Sequence, residues 1–316
     1  MWHRHGGRCG EAVISEITVR QLEYFIAVVD YGSMSACARE LHISQAAISV
    51  AVRQLEKSLN AELLSRAPAR RAQPTPAGQA LLPYARRVVS SIAEGAEAVR
   101  DDYTEMRGTL RVSSSLTVSP HVLPPLLAHF AHHHPGVNIR IREEPVSDIH
   151  HGLHTGEIDL GLVYARQTDG SFPHTVVETG RQHVMLSATH RWANRSGISL
   201  QDVIEEPLIL VDVPPSVDRV TQLLVDLGLR PNIRWASSNF ETVRSLVAYD
   251  LGWSFVNVVP SSRDTYDGKR VAYVPITDNI PLNPIVAMVA DHAEPPGRVR
   301  EALDFFHGWR EGRKAA

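Results

Sequence analysis

The chain has 316 residues, of which 43% are hydrophobic and 21% charged, with a formal net charge of −3. That length holds two or three domains with real cores, and the charge balance excludes a protein that is basic overall. No run of 18 apolar residues is present, so no transmembrane helix is expected, and residues 1–16 lack the apolar core of a secretory signal.

Those 16 residues are expected to form a disordered extension. The first helical pattern opens at Thr18, which has capping-box spacing with Gln21. Leu22, Phe25, Ile26 and Val29 then repeat at i, i+3, i+4, i+7, and Gly32 ends the helix. Ser33 caps a short second helix that reaches about Leu41, with Ala36, Cys37 and Leu41 inward. His42 and Ile43 make a turn. Ser44 caps a third helix with Ala47, Ile48, Val52, Leu55 and Leu59 on its apolar face.

Periodicity alone fits any three-helix core. The short second helix, the tight turn and the small polar start of the third helix point instead to a helix-turn-helix that enters a DNA major groove. Its exposed first turns are Gln45, Ala46, Ser49 and Val50, with Arg53 one turn on. Short side chains let the helix axis approach the bases. Gln can bond adenine in a bidentate way, and Arg can reach guanine or a phosphate. Arg66, Arg70 and Arg71 follow in a segment expected to act as a wing near phosphates. Residues 17–92 hold nine Lys/Arg and five Asp/Glu, whereas the remainder holds 23 and 30, so a basic head sits on an acidic body. Cys9 and Cys37 are the only cysteines, a reducing-compartment pattern that fits a cytoplasmic protein. Residues 38–316 contain none, which argues against thiol-based redox sensing.

Thr75 and Pro76 are an N-cap followed by proline at the first helical position, and a helical pattern runs from there to about Met106. Ala85, Val89, Ile92, Ala96, Val99, Tyr103 and Met106 are spaced 4, 3, 4, 3, 4, 3, a heptad seam. A single amphipathic helix on its own core is the competing reading. The need of such DNA readers for two half-sites favours a dimer through residues 77–106. Pro83, inside this helix, should cost a backbone bond or bend it.

From Gly108 the pattern alternates. LRVSSS, NIRIRE and DLGLVY read as strands, with helices over Ser119–His134 and Val146–Thr155 between them, so a mostly parallel sheet is expected. A second set follows, with strands PLILVD, NIRWAS and GWSFVN and helices over Val217–Leu227 and Phe240–Leu251. Two α/β halves suggest a ligand cleft beyond the strand ends. Candidate effector contacts are Ser115, Thr117, Ser147 and Tyr164 in the first half, and Asp212, Ser216, Ser238, Asn239, Phe240 and Asn257 in the second. Phe240 and Trp253 are candidates for an apolar wall. Hydroxyls and free backbone donors at helix N-termini favour a small organic anion, although the same residues serve as caps.

His129 and His133 are four apart on one helix, as are His150 and His154 on another, and such pairs can hold a metal. No cysteine or acidic cluster in the sequence completes a site, so solvated faces and no metal are expected. No Gly-rich phosphate loop, nucleophile elbow or HExxH motif is present, so neither a cofactor nor enzymatic activity is expected. A transport solute-binding protein and an α/β enzyme are the rival readings.

RQLEYFIAVVDYGSMSACARELHISQAAIS resembles the N-terminal signature of LysR-type transcriptional regulators almost residue for residue, and Arg66 and TPAG (Thr75–Gly78) also sit where that family has them. Ala46 stands where a proline is usual, Val50-Ala51 where an arginine or another polar pair is frequent, and Pro74 where an apolar strand residue is common. These departures bear on the operator sequence rather than the binding mode. RGTLRVSSSLTVSPHVLPPLLAHFAHHHPGVNIRIREE and SSNFETVRSLVAYDLG are similar to the family's effector-binding domain, itself similar to periplasmic solute-binding proteins.

The resemblance spans about residues 17–310. It implies a mixed fold: an all-α winged helix-turn-helix (17–75), a linker and dimerisation helix (76–107), and an α/β two-subdomain periplasmic-binding-protein-like domain (108–312). Subdomain I would take about 108–183 and 285–312, and subdomain II about 184–284, with the chain crossing near Val184 and returning near Ile285. The partners it implies are double-stranded operator DNA, a small-molecule effector and further copies of the chain in a homodimer or homotetramer, with RNA polymerase as a further candidate.

Overall fold

In the computed structural model, which describes residues 16–65, 72–100, 106–290 and 295–315, helix α1 (Val19–Tyr31) starts at a closed capping box. Gln21 N donates to Thr18 Oγ1 at 3.3 Å, and Thr18 N donates to Gln21 Oε1 at 2.8 Å. The helix ends at Gly32, whose φ of 71° is a left-handed conformation that a Cβ disfavours. Ser33 caps α2 (Met34–Glu40) and Ser44 caps α3 (Gln45–Leu59), each hydroxyl accepting from the backbone N–H three residues on. Leu22, Phe25, Val28, Cys37, Ile48, Val52 and Leu55 form one buried core. Each of its large apolar side chains contributes about 1.5–3 kcal/mol. Two residues expected to face inward do not: Leu41, at the C-cap of α2, and Ala47, in the first turn of α3, are both exposed. An apolar stripe is buried only where another element covers it, and the turn between α2 and α3 leaves both ends uncovered.

Glu56 on α3 holds the base of the wing. Its Oε1 accepts from Leu63 N at 2.8 Å and Leu64 N at 3.3 Å. Ser65 N donates to Gln73 O and Thr75 N to Leu63 O, both at 2.9 Å, so Leu64 and Pro74 face each other in an antiparallel bridge. The ladder asks for no N–H at Pro74, which explains how a proline is tolerated there. Arg66, Arg70 and Arg71 lie outside the described residues.

Helix α4 (Pro76–Arg100) follows, with Thr75 Oγ1 accepting from Gly78 N at 3.1 Å. It continues through Pro83, which supplies no N–H to the preceding turn. Its apolar residues serve two ends. Leu82 and Ala85 are buried in the head core and Val89 packs against it, whereas Tyr84, Val88 and Ile92 are exposed. The spacing that joined Ala85, Val89 and Ile92 into one seam therefore splits. The first two belong to the head, Ile92 belongs to the bare face, and Tyr103 lies outside the described residues. Arg86 also binds Asp30 of α1 through both terminal nitrogens.

The chain divides into two compact units, Met1–Glu105 with His154–Glu157, and Met106–Leu153 with Ile158–Ala316. In the second, β1 (Gly108–Ser114), α5 (Ser119–His133), β2 (Val137–Glu143), α6 (Val146–Thr155) and β3 (Leu160–Tyr164) form the expected parallel βαβαβ. Two further strands, β4 (His174–Glu178) and β10 (Ile285–Val289), extend it antiparallel to give the order β2-β1-β3-β10-β4. All five residues of β3 are buried. Leu160 and Leu162 meet Leu126 and Phe130 of α5 and Phe306 of the C-terminal helix α10 (Gly297–Ala315) on one face, and Val163 meets Ile149 and Leu153 of α6 on the other.

The second half is not one parallel sheet. Strands β5 (His183–Ser187), β8 (Ser254–Val256) and β9 (Val271–Pro275) pair antiparallel in the order β8-β5-β9, while β6 (Leu208–Val211) and β7 (Ile233–Ser237) pair in parallel. Helices α7 (Leu200–Val203), α8 (Ser216–Asp226) and α9 (Phe240–Ala248) lie among them. Trp253 is fully buried in this core and its indole N–H donates to Glu206 O at 3.2 Å. It therefore walls no cleft. Among the described residues no helix is long and apolar enough to cross a membrane.

A Cβ on Gly78 would lie 2.1 Å from Leu63 O, so the backbone of the wing base would have to move. Gly78→Ala is expected to destabilise the head by about 2 kcal/mol or more. Urea unfolding followed by circular dichroism measures this, and an unchanged midpoint would show that this contact does not hold the wing.

Candidate functional site

Two places concentrate polar side chains without full local explanations: the start of α3 and a recess in the second unit. At α3, His42 takes a left-handed φ of 53° and turns the chain, so the helix starts with its first residues outward. Gln45, Ala46, Val50 and Arg53 are exposed and Ser49 is half-buried. Two of the polar groups are already positioned. Gln45 Oε1 accepts from Ser35 Oγ at 3.2 Å, and Arg53 Nε donates to Ser49 O at 3.1 Å. Holding the amide oxygen leaves the Gln45 NH2 as its outward group, a donor suited to an acceptor on a base edge.

The recess encloses about 560 Å³ of empty space, part of it open to solvent. Thr117 and Tyr164 reach it from the first half, and Ser216, Phe240, Ser254 and Asn257 from the second. Tyr164 lines the recess together with Asn257 and Thr117. Burial, reinforced by the nearby charge of Glu178, pushes its phenol well above the ordinary value, so it stays neutral. Gln182 Nε2 donates to Asn257 Oδ1 at 3.0 Å and so orients that amide. Ser254 is buried and its hydroxyl has no hydrogen-bond partner among the described residues. Such a group costs about 1–3 kcal/mol while it stays unpaired. An adjoining recess shares Tyr164, Ser216 and Asn257 and adds Arg166 and Arg219. No acidic residue lines either recess among the described residues.

Of the ten sequence-derived effector candidates, Thr117, Tyr164, Ser216, Phe240 and Asn257 line the first recess and the other five do not. Asn239 is a cap, its Oδ1 accepting from Glu241 N and Thr242 N. Ser147 bonds Asp148 on the surface, Asp212 and Ser238 are exposed, and Ser115 is buried beneath the start of α5. The sequence reading missed Ser254, Arg166 and Arg219. No local signal marks them, because a strand serine and a helix arginine become lining residues only when distant segments meet.

Two family models match the chain. Residues 19–79 match the bacterial regulatory helix-turn-helix protein, lysR family, and residues 104–310 match the LysR substrate binding domain. The transcriptional regulator TtuA of Agrobacterium vitis is 30% identical over 298 residues, which is 90% of this chain and 96% of that one. The regulator AlsR of Bacillus subtilis is 27% identical over 282 residues, 88% and 92% of the two chains. In crystal form, the LysR family regulator HinK of Pseudomonas aeruginosa is 32% identical, with a TM-score of 0.60 over 92% of this chain and 98% of its own. With its helical head and its α/β domain each matched in turn, the chain belongs to the LysR family of transcriptional regulators, which join a DNA-binding helix-turn-helix to a substrate-binding domain.

Proposed function

We propose that α3 reads operator DNA through Gln45, Ser49 and Arg53, with Ala46 and Val50 against the bases and Arg66, Arg70 and Arg71 toward phosphates. We further infer that the effector is a small organic anion with an apolar body. The carrying observation is the paired recess: Arg166 and Arg219 with no carboxylate lining it among the described residues, beside Phe240, Phe255 and Val220 and a Ser254 hydroxyl with no partner among those residues. An anion gains charge-assisted bonds to arginine, and an apolar body suits the rest of the lining. The exposed Tyr84, Val88 and Ile92 stripe on α4 supports a homodimer through that face.

Three measurements test these statements. Gln45→Ala is expected to cost roughly 1–3 kcal/mol of operator binding and to relax one base position, and Ser35→Ala to do the same more weakly by freeing the amide. Retained base preference in Gln45→Ala would remove it from the groove. Arg70→Ala should weaken all sequences alike and flatten the salt slope.

For the effector, a thermal-shift panel of organic acids and their matched amides should give hits among the acids only. Arg219→Met should weaken the best acid about tenfold or more, and Ser254→Ala should cost about 0.5–1.5 kcal/mol. Stabilisation by amides but not acids would overturn the anion.

For assembly, Val88→Glu with Ile92→Glu should dissociate the dimer in sedimentation with the head still folded, since both side chains are exposed in the single chain. Val89→Glu should instead lower head stability, because Val89 packs on the head core. An unchanged assembly in the first variant would move the interface elsewhere.

A further inference from the structure

The sequence pairs His129 with His133, but the structure pairs it differently. His129 lies on α5, His134 is its C-cap residue, and Glu301 lies on α10. His129 Nε2 is 2.7 Å and His134 Nε2 is 3.1 Å from the same Oε1 of Glu301. The three donor atoms lie within 4.8 Å of one another. His133 is not part of the group, since its Nδ1 lies 3.0 Å from the backbone oxygen of His129 on the exposed side. The cluster is 19–27% exposed, sunk enough to be ordered and open enough to be reached.

We propose that His129, His134 and Glu301 bind a divalent transition-metal ion of the zinc class, with one coordination position open. Two imidazole nitrogens and a carboxylate oxygen are a donor set that zinc takes, at bond lengths of about 2.0–2.2 Å. Ligand atoms around such a tetrahedral ion stand roughly 3.3 Å apart, so the cluster needs only small side-chain movements to accept one.

The rings are already held. His129 packs against Phe305 with centroids 4.6 Å apart, and His134 packs against Phe130 at 5.5 Å. Glu301 is held between the two imidazoles through one carboxylate oxygen, so the three side chains converge on one point. Imidazole donors select against magnesium and calcium, which prefer oxygen. A bound ion would tie α10 to the end of α5, beside the apolar contact that Phe306 already makes there.

The test uses the full chain with His3→Ala, His5→Ala and Cys9→Ser, which removes other potential ligands near the N-terminus. After chelator treatment it is titrated with Zn2+ and, separately, Mg2+, by calorimetry and thermal unfolding. Expected are one Zn2+ per chain, a raised unfolding midpoint and no response to Mg2+. Co2+ should give the visible absorption of a tetrahedral site. His129→Gln and Glu301→Gln should each weaken Zn2+ about tenfold or more, a ligand mattering at least as much as an outer-shell partner, whereas His132→Gln should change nothing. Should a variant not fold, the unaltered side chains answer the question through imidazole NMR, where Zn2+ must shift His129 and His134. Unchanged affinity in both ligand variants, Mg2+ binding as tightly as Zn2+, or shifts confined to other histidines would overturn the site and leave a hydrogen-bonded triad.

Discussion

The packing of α4 into the head core is the constraint on which the DNA-binding unit depends. Leu82 and Ala85 are buried with Phe25, Ile48 and Leu55, and Arg86 binds Asp30 on α1. The long helix cannot swivel without opening that core, and each large apolar side chain so exposed costs about 1.5–3 kcal/mol. The reading helix and the long helix therefore move as one body. In the proposed dimer, a shift between two copies of α4 would pass to α3 through this packed joint, where Gly78 lies against Leu63 O. A small change in how the long helices pair would then change the spacing of two reading helices.

The effector side has a matching energetic requirement. Turning an equilibrium from 1:99 to 99:1 takes about 5.5 kcal/mol of differential affinity. Only contacts made in one arrangement of the two halves contribute. The recess supplies candidates of the right size. For the proposed anion, a charge-assisted bond to Arg219 would bring about 1.5–3 kcal/mol and a partner for the Ser254 hydroxyl about 0.5–1.5 kcal/mol. The lining is drawn from both halves, with Thr117 and Tyr164 on one side and Ser216 and Asn257 on the other. Gln182 already orients the Asn257 amide within that lining.

Legibility in the sequence followed the range of the interactions. The head was readable because caps and a 3.6-residue period are local: Thr18, Ser33 and Ser44 cap the helices their positions announce. Leu41 and Ala47 were misassigned because periodicity says which face a residue is on and not whether anything covers it. The heptad spacing likewise says nothing of cover: Ala85 is buried in the head core, whereas Ile92 is exposed. Strands β5, β9 and β10 were missed because they are buried on both sides, and runs such as IVAMV carry no two-residue alternation to detect. The antiparallel β8-β5-β9 sheet of the second half was unread for that reason.

The candidate site was the least legible part, for a further physical reason. Polar residues at helix starts are visible in sequence, but their commonest use is to satisfy the helix itself, and Asn239 is spent in that way. A polar residue is offered to a ligand where the fold gathers it with others at one recess, and that placement and its burial depend on segments far away in the chain. Ser254 is buried because β8 pairs with β5 and lies beside β6, not because of anything beside it in sequence. The His129–Glu301 contact, bridging 172 residues, obeys the same logic. The i, i+4 pattern pointed to the exposed His133, whereas the chemistry assembled where α10 returns to α5. Local pattern fixes what the head is, and long-range closure decides where the sensor can bind anything.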